Sequence, residues 1–237
     1  MNKIETKSRI GRFFELNPQP PLNSRALRNV HWARTDSLTL AELFWQYVEK
    51  GVTHSHHLAD LLAQSARARE LVSTAQSVVV IGPGFGEEID QLEGLYEGPV
   101  WAAEINKNAW PVLGFEREGL RIVDSVDALP SLSGPVAFVG VHVLRQPSLA
   151  TDAAMRAFAA ELLRAAPGGF SLLSTLPNCY TVPSKFAKTT SSFFECGVDC
   201  DELLVESLRE LGAAVTISMG ISNCTPRARL ALIEVAP

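Results

Sequence analysis

The apolar run SVVVI, Ser77 to Ile81, breaks directly into Gly82-Pro83-Gly84-Phe85-Gly86 and then into the acidic stretch EEID. β-Branched residues bounded by glycines read as a buried strand. Acidic residues just after such a turn suit the first turn of a helix. A dinucleotide-binding turn requires G-x-G-x-x-G, but the third position here is Glu87. A P-loop also fails, because no Gly-Lys-Ser/Thr follows. The pattern present is G-x-G-x-G, which lets a ligand approach the backbone closely beside the positive end of a helix. Eighteen residues beyond Gly86 lies Glu104, at the end of the next apolar run. A carboxylate there can accept two hydrogen bonds from a ribose diol. Taken alone, the turn reads equally as a tight structural turn, and Glu104 as a solvated carboxylate.

From Ser77 onward the pattern alternates strand with helix, the signature of a mostly parallel sheet covered on both faces. Strands are expected at Ser77–Ile81, PVWAAEI, LRIVDS, PVAFVGVHVL and FSLLSTL. A helix is expected from about Gly86 to Tyr96. Another carries Met155, Phe158, Ala159, Leu162 and Leu163 and stops at Pro167-Gly168-Gly169; a third carries Leu203, Leu204, Leu208 and Leu211. The last two strands, AVTISMGIS and ARLALIEVA, are joined by so few residues that they must form an antiparallel hairpin.

The first 75 residues read differently. ELNPQPPLNS, residues 15–24, predicts an extended arm. Leu40, Leu43, Phe44, Tyr47 and Val48 follow helical spacing behind a cap at Asp36 and Ser37, with Gly51 as the stop. A second helix is expected from Ser55 to Ala75. Residues 1–75 are therefore expected to form a helical N-terminal extension or cap, and residues 76–237 the sheet domain. Trp32, Trp45 and Tyr47 read first as packing residues.

The composition, 46% hydrophobic and 20% charged in 237 residues, is that of a soluble globule. A net charge of −5 argues against a nucleic-acid partner. No apolar run approaches the ~18 residues needed to span a bilayer, and the start lacks a signal peptide's apolar core, so a cytoplasmic location is expected. Cys179, Cys196, Cys200 and Cys224 form no C-x-x-C pair, and His54, His56 and His57 have no companion ligand spacing, so no metal is expected.

VVVIGPGFG, VWAAEIN, RIVDSVDALP, FVGVHVL and AAPGGFSLLSTL, in that order and closed by the hairpin, resemble the class I S-adenosylmethionine-dependent methyltransferases over roughly residues 75–237. The resemblance implies a Rossmann-like α/β fold, a seven-stranded mostly parallel sheet with an antiparallel last strand, and S-adenosylmethionine as cofactor. Matched by position, it puts Gly82, Pro83, Gly84 and Gly86 against the cofactor's amino-acid end. Glu104 then meets the ribose, with Ile105 against the adenine. Asp124 and Ser125 meet the adenine edge, and Val141 and His142 face the methionine part and the substrate. Many relatives carry an acid two positions before the first glycine, where this chain has Val80. They also carry an aspartate in strand four, where it reads Ala137-Phe138-Val139.

His142 reads as a general base, a substrate contact or a structural histidine. Tyr180 follows strand five at the carboxyl edge, where its ring can receive a sulfonium or ammonium group or simply pack. Ser191 and Ser192 offer hydroxyls in the same segment. The leading expectation is methyl transfer to a small-molecule metabolite. The alternative uses the aminocarboxypropyl arm instead. That arm passes to an amine, or closes on itself as in the azetidine-2-carboxylate synthases, releasing methylthioadenosine. A degenerate, non-catalytic binder is the third reading. The helical N-terminus fits either a lid or a homodimer interface.

Overall fold

A computed structural model of the chain describes residues 3–23, 35–49, 55–141, 143–145, 149, 151–177, 200–221 and 228–236. Seven strands form one sheet: β1 Ser77–Ile81, β2 Val100–Ala103, β3 Arg121–Val123, β4 Val136–Val141, β5 Phe170–Pro177, β6 Val215–Ile221 and β7 Ala228–Val235. Their spatial order is β3-β2-β1-β4-β5-β7-β6. The first five run parallel, with Val78 level with Val100 on one side and Ala137 on the other. β7 runs antiparallel to both β5 and β6, as the short connection between the last two strands requires.

The helices are α1 Lys3–Leu16, α2 Leu40–Phe44, α3 Ser55–Gln64, α4 Ala66–Thr74, α5 Glu87–Leu92, α6 Trp110–Leu113, α7 Asp152–Ala165 and α8 Cys200–Glu210. Because strand side chains alternate in direction, β1 feeds two cores. Val79 and Ile81 join Phe138 with Met155, Phe158 and Leu162 of α7 and Leu204 and Leu208 of α8. Val78 and Val80 join Ala137 and Val139 with Leu58, Leu61, Ala68 and Val72 of α3 and α4. A third cluster joins Ile10, Phe13 and Phe14 of α1 with Leu38, Leu43, Ala109 and Val112, and it takes in Phe85 from the glycine turn.

Three sequence expectations are corrected. The helix after residue 36 is capped by Thr39, not by Asp36 and Ser37, which lie in a 3-10 turn. Thr39 accepts the Glu42 N–H at 3.3 Å, and the Glu42 carboxylate accepts the Thr39 N–H at 2.9 Å. That reciprocal capping box satisfies two backbone donors at once. After Phe44 the coil widens into a π-helical turn, Trp45–Glu49. Second, the expected helix Ser55–Ala75 is two helices. Ser65 adopts extended backbone and accepts the Ala68 N–H at 3.0 Å, so it starts α4. The Arg69 guanidinium closes the end of α3 by donating to the carbonyls of Leu62 and Ala63. Third, the helix expected to reach Tyr96 ends at Leu92. Helices α1 and α6 were not foreseen as separate elements.

Candidate functional site

At the carboxyl end of β1, Gly82, Gly84 and Gly86 have φ values of +64°, +56° and +91°. Side chains rarely tolerate that left-handed region, so glycine is demanded at all three positions. The turn is tied at both ends. The Gly82 N–H donates to the Ala103 carbonyl at 2.8 Å, and the Gly86 N–H donates to the Pro83 carbonyl at 2.8 Å. A Cβ on Gly84 would come within 3.2 Å of the Tyr47 ring, so the N-terminal segment lies directly over the turn.

Glu104, just past β2, is only 4% exposed. One carboxylate oxygen accepts the Gly84 N–H at 3.0 Å and the other the Asn106 N–H at 2.8 Å. A carboxylate offers about four acceptor positions, so each oxygen keeps a lone pair for a ligand hydroxyl. Burial pushes this carboxyl upward, and the two backbone N–H groups oppose that shift. The loop behind Glu104 is fastened to the N-terminal segment. The side-chain amides of Asn106 and Asn108 both donate to the Leu38 carbonyl, at 2.9 and 3.0 Å. The Trp110 indole N–H donates to the Glu104 carbonyl at 2.8 Å.

The remaining expected site residues fall along the same edge. The Glu104 N–H donates to the Val123 carbonyl, which brings Asp124 and Ser125 beside it. Asp124 is exposed and pairs with Lys107 at 3.5 Å. The Ser125 hydroxyl accepts the Ala128 N–H at 3.2 Å, so it builds its own turn. Ile105 is 54% exposed, an apolar surface at the mouth of the site. Pro83 is buried within the turn, and Val141 is half-buried where β4 ends beside Thr175 of β5. His142, Tyr180, Ser191, Ser192 and His54, and the side chains of His56 and His57, lie outside the described residues. Among the described residues no group of three or more His, Cys, Asp or Glu is arranged to hold a metal, and no helix is long and apolar enough to cross a membrane.

Two further groups of residues shape the site and were missed in the sequence. Arg117 is buried behind the turn. Its guanidinium binds both oxygens of Asp90, at 2.8 and 2.9 Å, and donates to the carbonyls of Phe85, Gly86, Val112 and Leu113. Arg9 of α1 adds a contact to Asp90 and one to Glu93 at 2.9 Å. On the ligand side, Tyr47 packs on Phe85 with ring centroids 5.1 Å apart. Burial and the facing carboxylates of Glu104, Glu88 and Glu87 push its hydroxyl well above the usual phenol range.

Burial, with Glu87, Glu104 and Asp90 adding repulsion, pushes the Glu88 carboxyl up to about 8. The unfolded chain loses that proton near the ordinary value of 4.5. Glu88 therefore favours the folded state fully below pH 4.5, and that contribution disappears as pH rises to 8. Glu88→Gln is expected to keep its stability across this window while the wild type loses some. Urea unfolding midpoints at pH 5, 6.5 and 8 will show it, and parallel curves for the two proteins would overturn it.

No protein-family model matches the sequence, and no curated protein does. Solved structures do match in shape. The plantazolicin methyltransferase BpumL in complex with SAH superposes with a TM-score of 0.61 over 98% of this chain and 99% of its own, at 11% identity. S-adenosylmethionine-dependent methyltransferases from Clostridium acetobutylicum and Aquifex aeolicus give TM-scores of 0.56 and 0.53 over 82% and 85% of this chain. They are covered over 97% and 100% of their own lengths, at 9% and 14% identity. The fold is that of the class I methyltransferases. At these identities the likeness concerns the fold, and chemistry must be argued from the residues.

Proposed function

We propose that this chain is an S-adenosylmethionine-dependent methyltransferase acting on a small molecule. One observation carries the reading: Gly84 and Glu104, from adjacent strand ends, are joined by a hydrogen bond at the carboxyl edge of the sheet. Open α/β sheets bind ligands there. The pocket's parts fit the cofactor. Glycines without Cβ admit its amino-acid end, the free lone pairs of Glu104 suit the ribose diol, and exposed Ile105 offers an apolar face for the adenine. The bound cofactor supplies a methyl carbon made electrophilic by its positive sulfur, so a nucleophile can take the methyl and leave a neutral thioether.

The protein's own part is to bind, orient and keep water out. Residues 3–23 and 35–49 act as part of the cap in this reading, through the contacts of Tyr47, Leu38 and Phe14 with the turn and the loop behind Glu104. His142, next after Val141, and Tyr180, beyond β5, are retained as the catalytic candidates. A net charge of −5 and the carboxylates around Tyr47 suit a small acceptor better than a polyanion.

Incubation with S-adenosylmethionine alone, followed by mass spectrometry, tests the reading. The cofactor is expected to bind and stay intact until a small-molecule acceptor is added. Methylthioadenosine accumulating without acceptor would replace methyl transfer with chemistry on the aminocarboxypropyl arm. Absence of binding would overturn the cofactor assignment itself.

A further inference from the structure

Strand register decides where a ligand on this edge must end. Ile81, Ala103 and Val123 are level with one another, so Gly82, Glu104 and Asp124 follow them in a row across three neighbouring strand ends. A cofactor whose amino-acid end meets the glycine turn and whose ribose meets Glu104 carries its base toward Asp124. The chain beyond Asp124 has no regular element, since residues 124–135 join β3 to β4 without a helix or strand. One turn shapes its start. The Ser125 carbonyl and hydroxyl both accept the Ala128 N–H at 3.2 Å, and the Val126 carbonyl accepts the Leu129 N–H at 3.1 Å. Val126 and Leu129 are buried in the core, whereas Asp127 and Ala128 are exposed. So few local bonds hold an exposed turn weakly. The rest of the hold comes from α7, at a residue 35 to 38 positions further along the chain. There the Arg164 guanidinium donates to the carbonyls of Leu129, Val126 and Asp127, at 3.0, 3.1 and 2.6 Å. The next residue, Ala165, accepts the Leu132 N–H at 2.7 Å. A planar guanidinium reaches several carbonyls at once, whereas a lysine ammonium acts as a single point. The Asp127 carboxylate also lies 3.6 Å from Arg164, but the two side chains are 71% and 44% exposed, so that pairing adds little to stability. What Arg164 supplies is the shape of the turn.

Resting on the cofactor reading above, we propose that Arg164 is a positioning residue for recognition of the cofactor's base. It acts through the turn at residues 126–129, which fixes the chain leaving Asp124 and Ser125 at the outer end of the row. The helix that carries it packs Met155, Phe158 and Leu162 into the core, so the turn is referenced to the body of the sheet. Without the guanidinium, three carbonyls lose their donor. Val126 and Leu129 stay buried, so the fold survives while the exposed edge of the turn loses its fixed orientation. Base discrimination therefore falls further than stability.

Titration calorimetry with S-adenosylhomocysteine and S-inosylhomocysteine reads this directly. The two ligands differ only along one edge of the base, where inosine exchanges an amine donor for a carbonyl acceptor. Wild type is expected to favour the adenine form by at least about tenfold, the scale of one hydrogen bond met or refused. Arg164→Met is expected to bring the two affinities within about threefold of each other, with a melting temperature close to that of wild type. Arg164→Lys is expected to resemble it, because one ammonium cannot span the three carbonyls. Arg156→Met removes an exposed arginine from the same helix, paired with Glu210 at 2.8 Å, and is expected to keep the wild-type ratio. If Arg164→Met weakens both ligands equally, or lowers only the melting temperature, Arg164 is a structural brace and the proposal falls while the cofactor reading stands. A wild type that binds both ligands alike overturns it in the same way. If wild type binds neither ligand, the cofactor reading falls with it.

Discussion

Glu104→Ala is expected to weaken S-adenosylhomocysteine binding by at least about 100-fold, the scale of losing two hydrogen bonds to a charged acceptor. The carboxylate is the point where three segments meet. It holds the Gly84 and Asn106 N–H groups, and Asn106 in turn holds Leu38 of the N-terminal segment. Alanine removes the ribose acceptor and leaves both N–H groups without their partner. Glu104→Gln keeps the volume and one carbonyl, but its amide nitrogen cannot accept a hydrogen bond, so a loss of about tenfold is expected. Titration calorimetry measures the affinity, and a melting curve alongside separates two roles. A carboxylate serving only to brace the loop would lower the melting temperature and leave affinity intact. That result would sink its assignment to the ligand.

The residues legible in the sequence are those whose demands are local. The glycine turn could be read because a left-handed backbone tolerates little else, and Glu104 because it ends the strand after the turn. Strand–helix alternation pointed to a mostly parallel sheet and one short connection to its antiparallel end, whereas the lateral order of the strands has no local signal. Local competition explains the helix errors. Thr39 outcompeted Asp36 because only Thr39 has Glu42 three residues on to complete a reciprocal cap. Ser65 broke a continuous apolar stripe because its hydroxyl found the Ala68 N–H. Tyr47 and Arg117 act over long separations that no spacing rule reaches. Tyr47 fits a packing stripe on its own helix, yet its partners lie on the glycine turn. Arg117 carried no such signal, because between Glu116 and Glu118 it reads as an ordinary solvated arginine. Glu88 looked like an ordinary acidic first-turn residue, and its perturbed carboxyl comes from burial and from the carboxylates of Glu87, Glu104 and Asp90 around it.

Arg117→Met is expected to destabilise the protein by about 3–5 kcal/mol, because it strips the ion-pair partner from a buried carboxylate. For a chain of this size that corresponds to a fall in melting temperature of about 10 °C. The continuing contact of Arg9 with Asp90 argues for the lower end of that range. Charge is only part of the role, since the same guanidinium also takes the carbonyls of Phe85, Gly86, Val112 and Leu113. The double variant Arg117→Met/Asp90→Asn separates the two contributions. If the uncompensated carboxylate dominates, removing it restores most of the lost stability. If anchoring the turn dominates, the double variant stays as unstable as the single one, because the carbonyls remain without a donor. Partial recovery is the expected result. S-adenosylhomocysteine affinity should remain reduced in both variants, since two of the orphaned carbonyls belong to the glycine turn itself. Full recovery of both stability and affinity would mean that the turn holds its shape through its three glycines alone, and that Arg117 serves only to neutralise Asp90.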